Sequence, residues 1–154
     1  VDVQATLDQT LLKLEAITRD GHRGSDARRF SAVVVGVEHT VPQIADTKWD
    51  LGLILEFDWD DRPRSAPPTI YDKDFFVGAR FAFNDDGDST ALLGALVDIE
   101  KGSVYATVEA STRLYDTLRL EIEGSFVLRA DDRDAILRQY RNDSFLSVRL
   151  THHL

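Results

Sequence analysis

Residues Tyr115–Leu128 read YDTLRLEIEGSFVL, and this stretch decides the fold. From Leu118 onward every second residue is apolar or glycine, and the residues between them are mostly charged or hydroxyl-bearing. Strict alternation predicts a β-strand, because successive side chains point to opposite faces of a pleated backbone. The run is roughly twice as long as a usual strand of about 5–6 residues. We therefore predict a long strand with one apolar and one charged face.

The same alternation recurs along the chain and predicts an all-β, antiparallel, up-and-down fold of about eight strands. The predicted strands are Thr6–Thr18, Phe30–Val41, Lys48–Asp60, Phe75–Asn84, Thr90–Glu100, Val104–Leu114, Asp116–Leu128 and Ser144–Leu154. For the first of these a helix is the alternative, since LLKLEA consists of good helix formers. No βαβ pattern is visible, so consecutive strands are expected to pair as hairpins. An even number of such strands can close into a barrel without free edges.

The composition limits the classes of function. The 154 residues suffice for a single domain spanning 1–154, and a net charge of −9 argues against a nucleic-acid partner. Without cysteine the chain has no disulfide, thiolate nucleophile or zinc–cysteine site. No apolar run is long enough for a transmembrane helix, and the mean hydropathy of −0.24 fits strands in which only alternate residues are apolar. Because the chain starts at Val1 and has no methionine, we expect it to begin within a longer precursor or to be a fragment.

Alternation alone does not decide which face of a barrel is inside. A soluble lipocalin-like barrel turns its apolar face inward around a ligand, whereas a transmembrane barrel turns it outward to lipid. In the soluble alternative a pocket would be lined by Leu51, Leu53, Phe81, Leu93 and Leu120. Three features favour the transmembrane interpretation.

The first feature is an aromatic girdle made by Trp49, Trp59, Phe75 and Phe83. The two tryptophans share a face and, at about 3.3 Å per residue and a tilt near 40°, stand roughly 25 Å apart in height. This is the height of the apolar band of transmembrane barrels, where aromatic rings mark both interfaces. The alternative is a pair of core tryptophans.

The second feature is the alternation of longer and shorter connections. If the last strand runs toward the periplasm, the outer end carries loops 19–29, 61–74 and 129–142 with the 101–102 turn, and the inner end carries 42–47, 85–89 and 115–116. Long outer loops and short inner turns are typical of transmembrane barrels.

The third feature is a predicted lumen-facing network of charged residues. Its members are Lys13, Glu15, Glu38, Glu56, Asp58, Arg80, Asp98, Glu109, Arg113, Arg119, Glu121, Glu123 and Arg149. In a soluble barrel the same residues would form a solvated outer face. Gly36, Gly52, Gly78 and Gly94 share this face, and we expect them to leave room for the arginines in a narrow lumen.

The segments DFFVGARFAFND, TALLGALVDIEKGSVYATVEASTRLYDTLRLEIEGSF and SFLSVRLTHHL resemble the C-terminal strands of bacterial outer-membrane β-barrel proteins of the porin-like kind. The resemblance is clearest over Trp49–Leu154, although His152 and Leu154 stand where such proteins usually have aromatic residues. It implies a transmembrane barrel in the bacterial outer membrane, of which this chain would be the last part. The implied partners are the lipid bilayer with its outer-membrane lipids, the barrel-assembly machinery and further copies of the chain in a homo-oligomer.

Catalytic and metal-binding patterns are weak. His39 has Glu38 and Thr40 as neighbours, but adjacent residues of a strand face opposite ways, and the same applies to His152 and His153 as metal ligands. Two acidic clusters could take calcium: Asp58 with Asp60 and Asp61, and Asp85 with Asp86 and Asp88. The second lacks the spacing of a calcium loop, and turn chemistry explains it better. Asp131–Asp134 is expected to be a solvated loop. We therefore expect no enzyme activity, no metal and no cofactor.

The function expected from the sequence is membrane embedding, with passive passage of small polar solutes if more strands or protomers widen the pore. A barrel that this chain closes alone would instead be filled by its own side chains and have a structural or adhesive role.

Overall fold

The computed structural model describes residues 1–20, 29–63 and 66–152. These residues form one antiparallel sheet of nine strands, in which each strand pairs with the next one along the chain. The strands are β1 (Asp2–Leu7), β2 (Thr10–Arg19), β3 (Phe30–Val41), β4 (Asp50–Asp60), β5 (Lys73–Ala82), β6 (Thr90–Asp98), β7 (Val104–Tyr115), β8 (Leu118–Arg129) and β9 (Phe145–His152). A 3₁₀ turn covers Ile44–Asp46. The prediction of an all-β, antiparallel, up-and-down sheet is confirmed.

The predicted strand count is too low by one in the described part of the chain. Thr6–Thr18 was expected to be one strand, but the chain turns at Asp8, whose φ of 50° is left-handed, and β1 pairs back on β2. The preference for strand over helix in this region is confirmed. Two irregularities in the register of β7 against β8 fall near Leu114 and Leu128, where an extra residue bulges from the ladder.

Consecutive pairing places the connections at two ends of the sheet. One end, here called the long-loop end, carries residues 61–72, 99–103 and 130–144. The other, the short-turn end, carries residues 8–9, 42–49, 83–89 and 116–117. This sorting agrees with the predicted alternation of long and short connections; of the predicted 19–29 loop, residues 21–28 lie outside the described residues.

The sheet is open among the described residues, with β1 and β9 as its edges. Because nine antiparallel strands alternate in direction, β1 and β9 run the same way. Joining these two edges directly would require a parallel pairing, whereas an all-antiparallel closure requires an odd number of further strands between them.

The register collects apolar residues on one face across the entire sheet. One cross-strand row runs Leu12–Val37–Leu55–Val77–Ala95–Ala106–Phe126, and its neighbour runs Leu53–Ala79–Leu93–Val108–Gly124–Leu146. We call this side the apolar face. The opposite side, here called the mixed face, carries charged residues together with a few apolar ones.

Burial in this sheet is inverted relative to an ordinary water-soluble domain. On the apolar face Leu53, Leu55 and Leu93 are 45–50% exposed, and Val148 and Leu150 are 60% exposed or more. Among the described residues the buried apolar side chains are those of Phe30, Ala66, Leu96 and Leu137. The buried polar side chains are those of Asp58, Asp74, Asp98, Ser103 and Asp134. Soluble proteins bury their large apolar side chains and leave aspartates outside. The mixed face is therefore the packed side of this sheet.

Candidate functional site

The mixed face carries every residue of the predicted charge network. The register of β2 to β9 places all of its strand residues on this one side, for example Arg80 in line with Glu109 and Glu123, and Asp58 in line with Asp98. That this face lines a lumen stays a prediction.

Five ion pairs of the described residues involve network members; four of them contain an arginine, and the fifth joins Asp98 to Lys101. Arg80 Nη1 lies 3.1 Å from Glu38 Oε1. Glu121 lies between Arg119, at 3.7 Å, and Arg149, at 3.9 Å. Arg113 pairs with Asp88 of the 83–89 turn at 2.8 Å. The arginines are 44–69% exposed, so each pair contributes about 0–1 kcal/mol to stability.

Other network members have no ion-pair partner in the described part of the chain; these are Lys13, Glu15, Glu56, Asp58, Glu109 and Glu123. Glu109 and Glu123 stand directly opposite each other on β7 and β8. Like charges directly opposite each other on neighbouring strands are unfavourable for stability. A depression of about 570 Å³ runs along these residues, and its lining includes Arg80, Glu109, Glu121, Glu123 and Arg149 beside apolar and hydroxyl-bearing residues. This surface can attract and orient small charged or polar solutes.

The glycines of the mixed face make room for two kinds of side chain. A Cβ on Gly52 would lie 3.2 Å from Glu38 Oε1 and 3.6 Å from Arg80 Cβ, so this glycine admits the ion pair as predicted. At Gly78 and Gly94 the prediction is wrong. There the ring of Phe76 fills the space, and a Cβ on Gly94 would lie 2.5 Å from Phe76 Cζ.

The aromatic residues of the predicted girdle group at the two ends of the apolar face. At the short-turn end Trp49 and Phe83 meet edge to face, with ring centroids 5.0 Å apart. At the other end Phe75 contacts Phe57 with the same centroid separation, and the register places Trp59 one step beyond them. Phe57 was not predicted as a member of the girdle, although its alternation with Trp59 is visible in the sequence.

A polar cluster at the long-loop end, not predicted from the sequence, joins Lys101 to Asp72 and Asp98, and we call it the lysine latch. Lys101 Nζ donates to Asp98 Oδ2 at 2.9 Å and also to Asp72. Asp98 is only 3% exposed and accepts further hydrogen bonds from the backbone N–H groups of Glu100 and Lys101. Burial lowers the pKa of Lys101, but its hydrogen bonds to the two carboxylates outweigh burial and hold that pKa above its ordinary value.

Hydrogen bonds join the lysine latch to the 130–144 loop. Arg133 Nη2 donates to the carbonyl oxygen of Lys101 at 3.2 Å, and the Asp131 N–H donates to Oγ of the fully buried Ser103 at 3.1 Å. A hydrogen bond from the Arg133 side chain lowers the pKa of Asp131 to about 2. The expectation of a solvated loop is wrong at Asp134, which is 6% exposed and accepts from the backbone N–H of Leu137.

Three carboxylates of this region approach one another. One carboxylate oxygen from each of Asp72, Asp74 and Asp98 lies within 4.8 Å of the other two. Lys101 bonds two of the three, so the chain supplies a cation to this cluster itself.

The histidines and the 85–88 acidic run do not form a catalytic or metal arrangement in the described chain. His39 lies on the apolar face, with Nδ1 2.9 Å from Thr10 Oγ1, while Glu38 points to the mixed face. His152 pairs with Leu118 across β8 and β9, and His153 lies outside the described residues. Asp85 accepts from the Ser89 N–H, as expected of a turn residue.

Comparison with family models, with curated proteins and with solved structures gives no match for this chain. No helix of the described residues is long and apolar enough to cross a membrane.

Proposed function

We propose that this chain is part or all of a bacterial outer-membrane β-barrel, with the apolar face toward lipid and the mixed face toward a polar lumen. The single observation that carries the proposal is the inverted burial. A continuous apolar surface spans all nine strands, while aspartates are buried on the packed side. In water, monomeric proteins usually expose contiguous apolar patches of only a few hundred Å².

The two aromatic groups support this orientation. Trp49 with Phe83 and Trp59 with Phe75 stand at opposite ends of the apolar face, where rings with an apolar body and a polar edge favour the two membrane interfaces. Between them most residues of the apolar face are aliphatic, and the exceptions include His39 and Phe126. The distribution matches an apolar band bounded by two aromatic girdles.

The open edges bear on how the barrel closes. An unpaired strand edge in a bilayer leaves backbone N–H and C=O groups without partners, which costs several kcal/mol for each group. The edges of β1 and β9 must therefore be covered in the membrane. Parallel pairing with each other, an odd number of further strands, or association with other copies would cover them.

The activity proposed for the completed barrel is passive passage of small polar solutes. Carboxylates outnumber basic groups in the network, and Glu109 and Glu123 face each other across two strands. A lumen with this charge favours cations over anions. The partners in this proposal are outer-membrane lipids, the barrel-assembly machinery and further copies of the chain; neither catalysis nor a cofactor is part of it.

The experiment is refolding of the chain from urea into detergent micelles, followed by planar-bilayer recording. The proposal predicts that the folded protein needs detergent, shows heat-modifiable gel mobility and gives stepwise, cation-selective current. A monodisperse folded protein in plain buffer would contradict the proposal and favour the soluble, ligand-binding barrel.

A second candidate is a closed small barrel with a structural or adhesive role. The lysine latch favours it, because the latch ties residues 72, 98–103 and 131–133 together at one end of the sheet. Heat-modifiable protein without current would support this second candidate.

A further inference from the structure

The apolar face is indented near the short-turn end. The indentation, here called the groove, has a volume of about 360 Å³. Its floor is Ala91 and Ala110, which face each other on β6 and β7, and its walls include Phe83, Leu120 and Ile122. Because the short alanine side chains lie between large apolar ones, they leave an apolar slot that suits an aliphatic chain. Its volume falls within the range of about 300–1,000 Å³ that small-molecule pockets occupy.

The 83–89 turn closes one end of the groove. The Arg113 N–H donates to the Gly87 carbonyl at 2.8 Å, and Ser89 Oγ donates to Thr112 Oγ1 at 2.7 Å. A Cβ on Gly87 would lie 2.8 Å from Thr112 Oγ1, so the close approach depends on glycine. The turn is therefore fastened to β7 by both backbone and side chains.

A second depression, of about 710 Å³, borders the same turn and has charged as well as apolar residues in its lining. Its lining includes Asp86, Arg113, Tyr115 and Asp116. The Arg113 guanidinium donates to Asp88 and to the backbone carbonyl of Asp86, whereas the carboxylates of Asp86 and Asp116 have no ion-pair partner among the described residues. The Tyr115 side chain is 72% exposed. Two free carboxylates beside an aromatic ring form a surface that attracts an organic cation.

We propose that the groove and the adjoining depression bind one membrane phospholipid with an ammonium headgroup, its acyl chain lying against Ala91 and Ala110 and its ammonium beside Asp86, Asp116 and Tyr115. The inference rests on the proposed membrane embedding and adds a lipid class to it. Charge complementarity chooses the lipid, because unpaired carboxylates attract an ammonium group and repel an anionic headgroup. The position at the short-turn end places the headgroup at the membrane interface, where Trp49 and Phe83 also lie.

The experiment is native mass spectrometry of the refolded chain in micelles, with phosphatidylethanolamine or phosphatidylglycerol of identical acyl chains added at equal concentration. The wild-type chain is expected to retain phosphatidylethanolamine in preference to phosphatidylglycerol. Ala110→Leu fills the groove and is expected to reduce that retention by about tenfold, equivalent to about 1.4 kcal/mol. Ala106→Leu is the matched control on the same strand and face, outside the groove, and is expected to leave retention unchanged.

The headgroup contacts are tested separately with the double variant Asp86→Asn, Asp116→Asn, which is expected to abolish the preference between the two lipids. Equal retention of both lipids by the wild type, or full retention by Ala110→Leu, would overturn the inference. Heat-modifiable mobility is recorded on the same samples. A chain that folds in micelles without retaining the lipid overturns this inference alone, whereas a chain that folds without detergent overturns the proposed function.

Discussion

Comparing an arginine substitution on the apolar face with one on the mixed face distinguishes an apolar face that contacts lipid from one that contacts water. Leu93 is 50% exposed in the middle of the apolar face, in the same cross-strand row as Leu53, which lies between Trp49 and Trp59. If this row lies near the bilayer midplane, Leu93→Arg costs about 2–4 kcal/mol of unfolding free energy. If the same position lies in water, a surface substitution costs about 0.5 kcal/mol or less.

The matched control is Glu109→Arg, at an exposed position of the mixed face on the neighbouring strand. There the new guanidinium would face Glu123 and is expected to change stability by less than about 0.5 kcal/mol. The assay is urea unfolding in phospholipid vesicles, followed by tryptophan fluorescence. With a slope of about 2 kcal/mol/M, Leu93→Arg should lower the midpoint by about 1–2 M and the control by little. Equal midpoints for the two variants would refute the orientation of the faces.

Three further predictions concern the latch and the packing of the mixed face. Lys101→Met leaves partly buried carboxylates without their cation and should lower the free energy of unfolding in urea by about 2 kcal/mol. The control Lys73→Met breaks an exposed ion pair and should lower it by about 0.5 kcal/mol or less. Equal losses of stability in the two variants would contradict the latch. Gly94→Ala should displace Phe76 and lower the free energy of unfolding by about 1–3 kcal/mol. Adding Phe76→Leu to Gly94→Ala should restore most of that stability. A double variant as unstable as Gly94→Ala alone would refute this packing. The pKa of Asp131 is about 2 in the folded chain, below an unfolded value near 3.9. Ionised Asp131 should therefore stabilise the folded loop above about pH 4 and lose that contribution as the pH falls toward 2. A titration midpoint near 4 for the Asp131 carboxyl in an NMR experiment would contradict this.

The alternation of residues was sufficient to predict most of the sheet. In β8 the side-chain period of two is a local property, and it continues for the full strand. The turn at Asp8 and Gln9 was missed because it contains neither glycine nor proline and the strand before it has only six residues. A two-residue turn with such a sequence carries little local signal.

Contacts between distant strands could not be read from the same pattern. Lys101 and Asp72 are 29 positions apart, and they meet only because the register of β5 with β6 brings the long-loop end together. Phe76 lies on the mixed face, against the general rule of polar residues there, because two facing glycines leave space for its ring. Such packing depends on neighbours from other strands, which alternation within one strand does not describe.

The most direct measurement of the central claim is a single-cysteine spin-label scan along β4, Asp50–Asp60, in phospholipid vesicles. The chain has no cysteine, so each label occupies one known position. The proposal predicts that labels at Leu51, Leu53 and Leu55 collide with membrane-dissolved oxygen and are shielded from a water-soluble nickel reagent. Labels at Gly52 and Ile54 should lack this lipid signature, giving a period of two along the strand. Labels at Leu53 and Leu55 that are accessible to the nickel reagent and not to oxygen would contradict a lipid-facing apolar surface.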